Sequence, residues 1–281
     1  MTSPTSPRKG ATAGGADRRV TFPRLVRSEL IKLVSVRSTV WSLSVAVVVL
    51  VGFAALMAYG ITEQVRAAGG VPGAEMGLDL STGVGATAAV FGVFLGQLVF
   101  VVLGVLAIGS EYSTGMIRST LTAAPTRVPA LAAKTLVYGT VAFLVAAVSM
   151  VLAFVVAQPL LASEGLDSTF GDTHVARMLL GGALYLATMT VFSLAVGTVV
   201  RSTAAGISVV VALVLILPIF LPLIPWQWIK DAAAYLPNAA ESVFSVPGYN
   251  SFSPWEGYAV LLVWTTVAAT AAVVLLRRRD A

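Results

Sequence analysis

Six stretches of this chain run 20 residues or more without a single Asp, Glu, Lys, Arg or His: 38–62, 80–110, 135–163, 178–200, 202–229 and 257–276. A helix crossing a bilayer needs about 20 mostly apolar residues, so each stretch predicts one span. The spans are expected at about residues 39–61, 86–109, 135–158, 178–200, 203–225 and 257–276. Only Arg201 separates the fourth stretch from the fifth, which makes those two a tight helical hairpin. A β-barrel is excluded, because barrel strands are about 10 residues long and alternate in polarity. Here Val45, Ala46, Val47, Val48, Val49, Leu50 and Val51 are apolar on every side. In lipid the backbone must satisfy its own hydrogen bonds, so the run forms helix despite valine's weak helix propensity in water.

Residues 22–37 precede the first span and have a different pattern. Pro23 suits a first helical position. Val26, Leu30, Leu33 and Val34 fall on one helical face, with Ser28, Lys32 and Ser35 opposite; Ile31 and Arg37 depart from the stripe. An amphipathic helix lying in the headgroup plane is predicted, with Arg27, Glu29, Leu30, Lys32 and Leu33 as its characteristic residues. Residues 1–20 are rich in Ser, Thr, Pro, Gly and Ala and have no apolar core. They read as a disordered cytoplasmic tail and not as a signal peptide. The expected organisation is that tail followed by one membrane domain over 21–281. The fold class is all-α, a polytopic membrane protein with six transmembrane helices and an N-terminal interfacial helix.

Composition agrees with the pattern. Of 281 residues, 57% are hydrophobic and 11% charged, and the mean hydropathy is +0.90. Soluble domains carry about 25% charged residues, so an ordinary soluble enzyme is excluded. With no cysteine and one histidine, His174, disulfides, thiol nucleophiles and Cys or His metal clusters are excluded too.

The net charge of +5 is a topology signal. If both termini are cytoplasmic, fifteen of the 18 Lys and Arg residues lie inside; only Arg66, Arg177 and Lys230 lie outside. Nine of the 13 acids fall outside. This is the positive-inside distribution, and it leaves nucleic acid without a binding surface.

The connection between the second and third spans, residues 111–134, is the longest cytoplasmic one. Met116, Ile117 and Leu121 stand near Glu111 there, and Pro125 ends any helix they form. A docking face for a partner protein and a solvated linker are both compatible with this stretch. The outer connection at 225–256 is dense in Trp, Tyr, Phe and Pro, which suits a membrane interface or a re-entrant segment. Within the spans the only carboxamides are Gln97 and Gln158. Gln97 either bonds between helices or lines a pathway. Gly92 and Gly96 form a Gly-x-x-x-Gly pattern that permits close helix packing. Pro218, Pro222 and Pro225 kink or end the fifth span. The sequence has no zinc-protease motif, no nucleophile elbow and no Walker-type phosphate loop. Catalytic, cofactor and metal residues are therefore not assigned, and charge-free spans disfavour proton-coupled transport.

Two short motifs carry a family resemblance. Arg27-Ser28-Glu29-Leu30-Ile31-Lys32, with Arg37 following, is similar to the basic Arg-x-Glu-Leu-x-Lys helix of type-2 ABC transporter permeases, the membrane components of bacterial exporters. Glu111, Gly115, Ile117, Arg118, Pro125, Arg127 and Lys134 follow in the order that family uses after its second span. The resemblance implies an exporter permease in the bacterial plasma membrane with both termini cytoplasmic. It pairs with a second permease, identical or different, and docks two cytoplasmic ABC ATPase subunits, which bind the ATP and Mg. It places the ATPase-coupling surface at Glu111, Tyr112, Gly115, Met116, Ile117, Arg118, Leu121 and Arg127. The remaining alternatives are a non-transporting membrane scaffold or assembly protein, then a secondary transporter.

Overall fold

The computed structural model describes residues 21–67, 83–113, 128–246 and 251–278. Its helices are α1 (Phe22–Ser35), α2 (Arg37–Ala67), α3 (Val84–Phe91), α4 (Val93–Ser113), α5 (Val128–Leu161), α6 (Val175–Val200), α7 (Thr203–Val211), α8 (Leu217–Phe220), α9 (Gln227–Ala233) and α10 (Pro254–Arg278). No strand occurs among the described residues. Among the described residues, six helical units are long and apolar enough to cross a membrane: Arg37–Ala67, Val84–Tyr112, Val128–Glu164, Val175–Val200, Thr203–Leu223 and Pro254–Arg278. They alternate in direction. One end of the bundle holds α1 and the Arg201 hairpin turn; the opposite end holds α9 and the start of α10.

Local chemistry sets the breaks. The helix expected over 22–37 stops at Ser35, because Val36 turns to extended backbone (φ −83°, ψ 108°) while its N–H still bonds the Lys32 carbonyl. Arg37 then starts α2. The second span is split between α3 and α4 at Gly92, where α2 passes closest. A Cβ on Gly92 would strike the Leu50 backbone, and one on Gly96 the end of the Leu50 side chain. The Gly-x-x-x-Gly pair is therefore a packing groove for α2. In the fifth span a π turn over Ala212–Ile216 precedes Pro218, and a 3₁₀ turn over Leu221–Leu223 contains Pro222. The wider and tighter turns absorb the missing proline N–H groups. The helix stops at Leu223, short of Pro225.

Helix α6 is the centre of the bundle. Tyr185, Leu186, Met189 and Phe192 are all buried, alongside Phe100 of α4 and Met150 and Phe154 of α5. Gln97 joins two of these helices: its Oε1 accepts from the Tyr185 hydroxyl at 2.6 Å, and its Nε2 donates to the Phe94 carbonyl at 3.0 Å. That is the interhelical hydrogen bond, formed where lipid offers no alternative partner.

The stretch after the fifth span turns back along the bundle. Trp264 stands ten residues into α10, roughly 15 Å from its start at 1.5 Å per residue. Its indole N–H donates to the Tyr235 carbonyl at 2.9 Å. A 3₁₀ helix over Pro237–Val243 then lies between α6 and α10, pressed against Gly181 and Gly257, where any Cβ would collide with its backbone. Arg177 clamps it by donating to the Val243 and Ser245 carbonyls, both at 2.8 Å. This part of the aromatic segment thus packs back against α6 and α10.

Candidate functional site

Four charged side chains meet at the α1 end of the bundle. Lys134 Nζ lies 2.6 Å from Glu29 Oε2 and 2.9 Å from Glu111 Oε1. Lys32 Nζ lies 2.8 Å from Glu29 Oε1 and 3.1 Å from Glu111 Oε1. The Lys134, Glu29 and Glu111 side chains are each about 5% exposed; Lys32 is about one-third exposed. Two carboxylates and two ammoniums make the cluster neutral, which is what lets it be buried at all.

The four members come from three helices. Glu29 and Lys32 are three apart on α1 and so share a face. Glu111 ends the second span on α4, and Lys134 stands in the second turn of α5. Beneath them Leu33, Leu103, Ala107, Val137, Tyr138 and Leu194 form one apolar patch joining α1, α4, α5 and α6. The Lys134 ammonium also sits 5.6 Å from the centre of the Tyr138 ring, within cation–π range.

The electrostatics of α1 follow from this geometry. Burial raises the Glu29 carboxyl, but Lys134 and then Lys32 overcome it and hold the group below its ordinary 4.5. Burial lowers the Lys32 ammonium, and Glu29 and Glu111 outweigh it, leaving the group above its ordinary 10.5. Glu111 keeps one oxygen, Oε2, buried without a hydrogen-bond partner. Next to it, Arg201 stacks 5.5 Å from the centre of the Tyr112 ring, tying the hairpin turn to the exit of the second span.

Of the sequence-derived candidates, Glu29, Lys32 and Glu111 come together, and Leu33 packs beneath them. Lys32 does not stand on the opposite, water-facing side of α1; the two carboxylates draw it inward. Leu30 and Val34 face out of the fold, as does Ile31. Arg27 is exposed and Tyr112 half-buried. Gly115, Met116, Ile117, Arg118, Leu121 and Arg127 lie outside the described residues, as does the tail at 1–20. Lys134 is the member that the site assignment from sequence left out. It read as the basic end of a loop, yet it is helical and buried. The available signal was charge matching: isolated acids and bases flank three apolar runs on the same side of the bundle.

A comparison with curated proteins returned no match. The family described as "ABC-2 family transporter protein" matches the chain over residues 74–276. The match takes in five of the six spans, together with Glu111 and Lys134, and leaves out α1 and α2. With most of its length matched and its six apolar helices, the chain belongs to the ABC-2 transporter family, as a multi-pass membrane permease of an ABC transporter.

Proposed function

We propose that this chain is one half of an exporter's membrane pathway in a bacterial plasma membrane. It pairs with a second permease, identical or different, and docks two cytoplasmic ABC ATPases that carry the ATP and Mg. Both termini face the cytoplasm, so the α1 end of the bundle is the cytoplasmic end; the fifteen-to-three distribution of basic residues supports this. The chain's own part in the ATPase cycle is conformational, with no bond made or broken on it. Helix α1 rests at the membrane surface, where its outward Leu30, Ile31 and Val34 meet lipid.

The observation that carries the reading is the four-charge joint. It fastens α1 to the exit of the second span and the start of the third, the two points that bracket residues 114–127. A force applied to that segment reaches three elements through one cluster. Met116, Ile117 and Leu121 are the apolar side chains available to an ATPase there. The test is copurification: the chain should bring down a P-loop ATPase in about equal amount. Ile117→Asp should insert normally and weaken capture by roughly 30-fold, as expected for a disrupted interface anchor. Full capture and full ATPase stimulation by Ile117→Asp would make the segment a linker. A chain that captures no ATPase at all is a scaffold.

A further inference from the structure

The 3₁₀ helix packed between α6 and α10 carries polar side chains that have no partner among the described residues. Asn238 and Glu241 are three residues apart on Pro237–Val243, and in a 3₁₀ helix residues at that spacing eclipse one another on one face. Asn238 Oδ1 is buried without a hydrogen-bond partner. The Glu241 carboxylate has no cation or donor facing it among the described residues, and burial pushes it up to about 7. Arg177, the cation clamped on this segment, is committed to the carbonyls of Val243 and Ser245. Phe244, whose N–H donates to the Glu241 carbonyl at 3.2 Å, meets the Tyr185 ring edge to face at 5.2 Å.

A buried, unsatisfied amide oxygen and a carboxylate with no partner among the described residues, three positions apart on one face, are a specific demand. They need a donor that carries positive charge and is attached to something apolar. A divalent metal is a poor fit, since calcium and magnesium take six or more oxygens. A primary ammonium fits: it has three donors, and its apolar body can lie on the rings. We infer that the Asn238–Glu241 face binds the primary ammonium of an amphipathic molecule. Glu241 is only partly buried, so such a molecule can reach it. The amine can belong to a transported amphiphile or to the ethanolamine headgroup of a membrane lipid. The binding site itself does not depend on the permease reading; the amphiphile's status as cargo does.

The test is equilibrium binding of dansylcadaverine, a fluorescent primary amine, to the full chain in phosphatidylglycerol nanodiscs, beside its N-acetylated neutral analogue. The amine should bind roughly tenfold or more tighter than the analogue, the range expected of a hydrogen bond to a charged group. Glu241→Gln and Asn238→Ala should each erase most of that preference and leave the analogue's affinity unchanged. Glu241→Gln is isosteric, so its thermal unfolding midpoint should match that of the parent and show that the loss is not misfolding. Adding phosphatidylethanolamine to the nanodiscs separates the two sources. Loss of dansylcadaverine binding identifies the headgroup as the occupant, and unchanged binding identifies a soluble amphiphile. Equal affinity for amine and analogue, or a preference untouched by both variants, would overturn the site. Capture of an ATPase without amine preference overturns this inference alone; amine preference without ATPase capture overturns the permease reading alone.

Discussion

Lys134 shows how a single buried charge depends on its neighbours. Its ammonium is about 4% exposed and touches two carboxylates. Removing it leaves Glu29 and Glu111 with Lys32 alone. Breaking a buried pair in this way costs about 3–5 kcal/mol, while removing both partners is often close to neutral. Lys134→Met should therefore destabilise the folded protein by about that much. Lys134→Met combined with Glu111→Gln should be less destabilised than the sum of the two single variants. Denaturant unfolding in detergent, read as a double-mutant cycle, measures the difference; strict additivity would mean that the two residues do not interact. At this scale the sequence was partly legible. Glu29, Lys32 and Glu111 stand out as charges beside apolar runs, and Gln97 as a lone amide within one. Lys134 was hidden because a base at the edge of a span also satisfies the positive-inside rule. The two explanations separate only once α5 is seen to begin at Val128, a full turn and more before it.

Helix α1 is the element whose behaviour hangs on that cluster. Periodicity found a helix near the right place, but it assigned Lys32 to water, because a helical wheel does not know what the helix packs against. The packing of the stretch after the fifth span was illegible for a related reason: aromatic and proline residues suit an exposed loop and a turn laid on the bundle equally well, and contacts such as Trp264 with Tyr235 show which it is. The charges on α1 also set its response to pH. The Glu29 carboxyl is lowered in the fold, so its contribution is present above 4.5 and is lost as pH falls through the lower folded value. The Lys32 ammonium is raised, so its contribution is present below 10.5 and is lost as pH rises through the higher folded value. Docking of α1 should thus be steady between those limits and loosen in acid. A spin label at Val26, which packs beside the apolar patch, should be immobile at neutral pH and gain mobility below 4.5. A label at the outward Ile31 should change little. Equal mobility at both sites at neutral pH would mean that α1 is not docked.

At the scale of the whole molecule, the number of spans was legible because the membrane imposes it: a charge left in lipid is costly, and the six charge-free runs map onto the six apolar helices. The packing order was not legible, because Ala, Val and Leu serve the interior α6 as well as the faces turned to lipid. Orientation rests on charge alone, and the absence of cysteine makes it testable without background, since any introduced thiol is unique. Gly171 is exposed at the end opposite α1, and Ala204 is exposed on the Arg201 hairpin at the α1 end. Ser168 is a poor choice despite its place in the same connection as Gly171. It is buried, with its hydroxyl accepting from the Gly85 N–H and its own N–H donating to Gln158 Oε1. A membrane-impermeant maleimide should therefore label Gly171→Cys in intact cells and Ala204→Cys only after permeabilisation. The alternating direction of the helices ties these two sites to all six spans. The reverse pattern would put the four-charge joint outside, away from any ATP, and the coupling role would fall with it. Labelling of both sites in intact cells would mean that α6, which lies between them, does not cross the membrane, and would break the six-span arrangement.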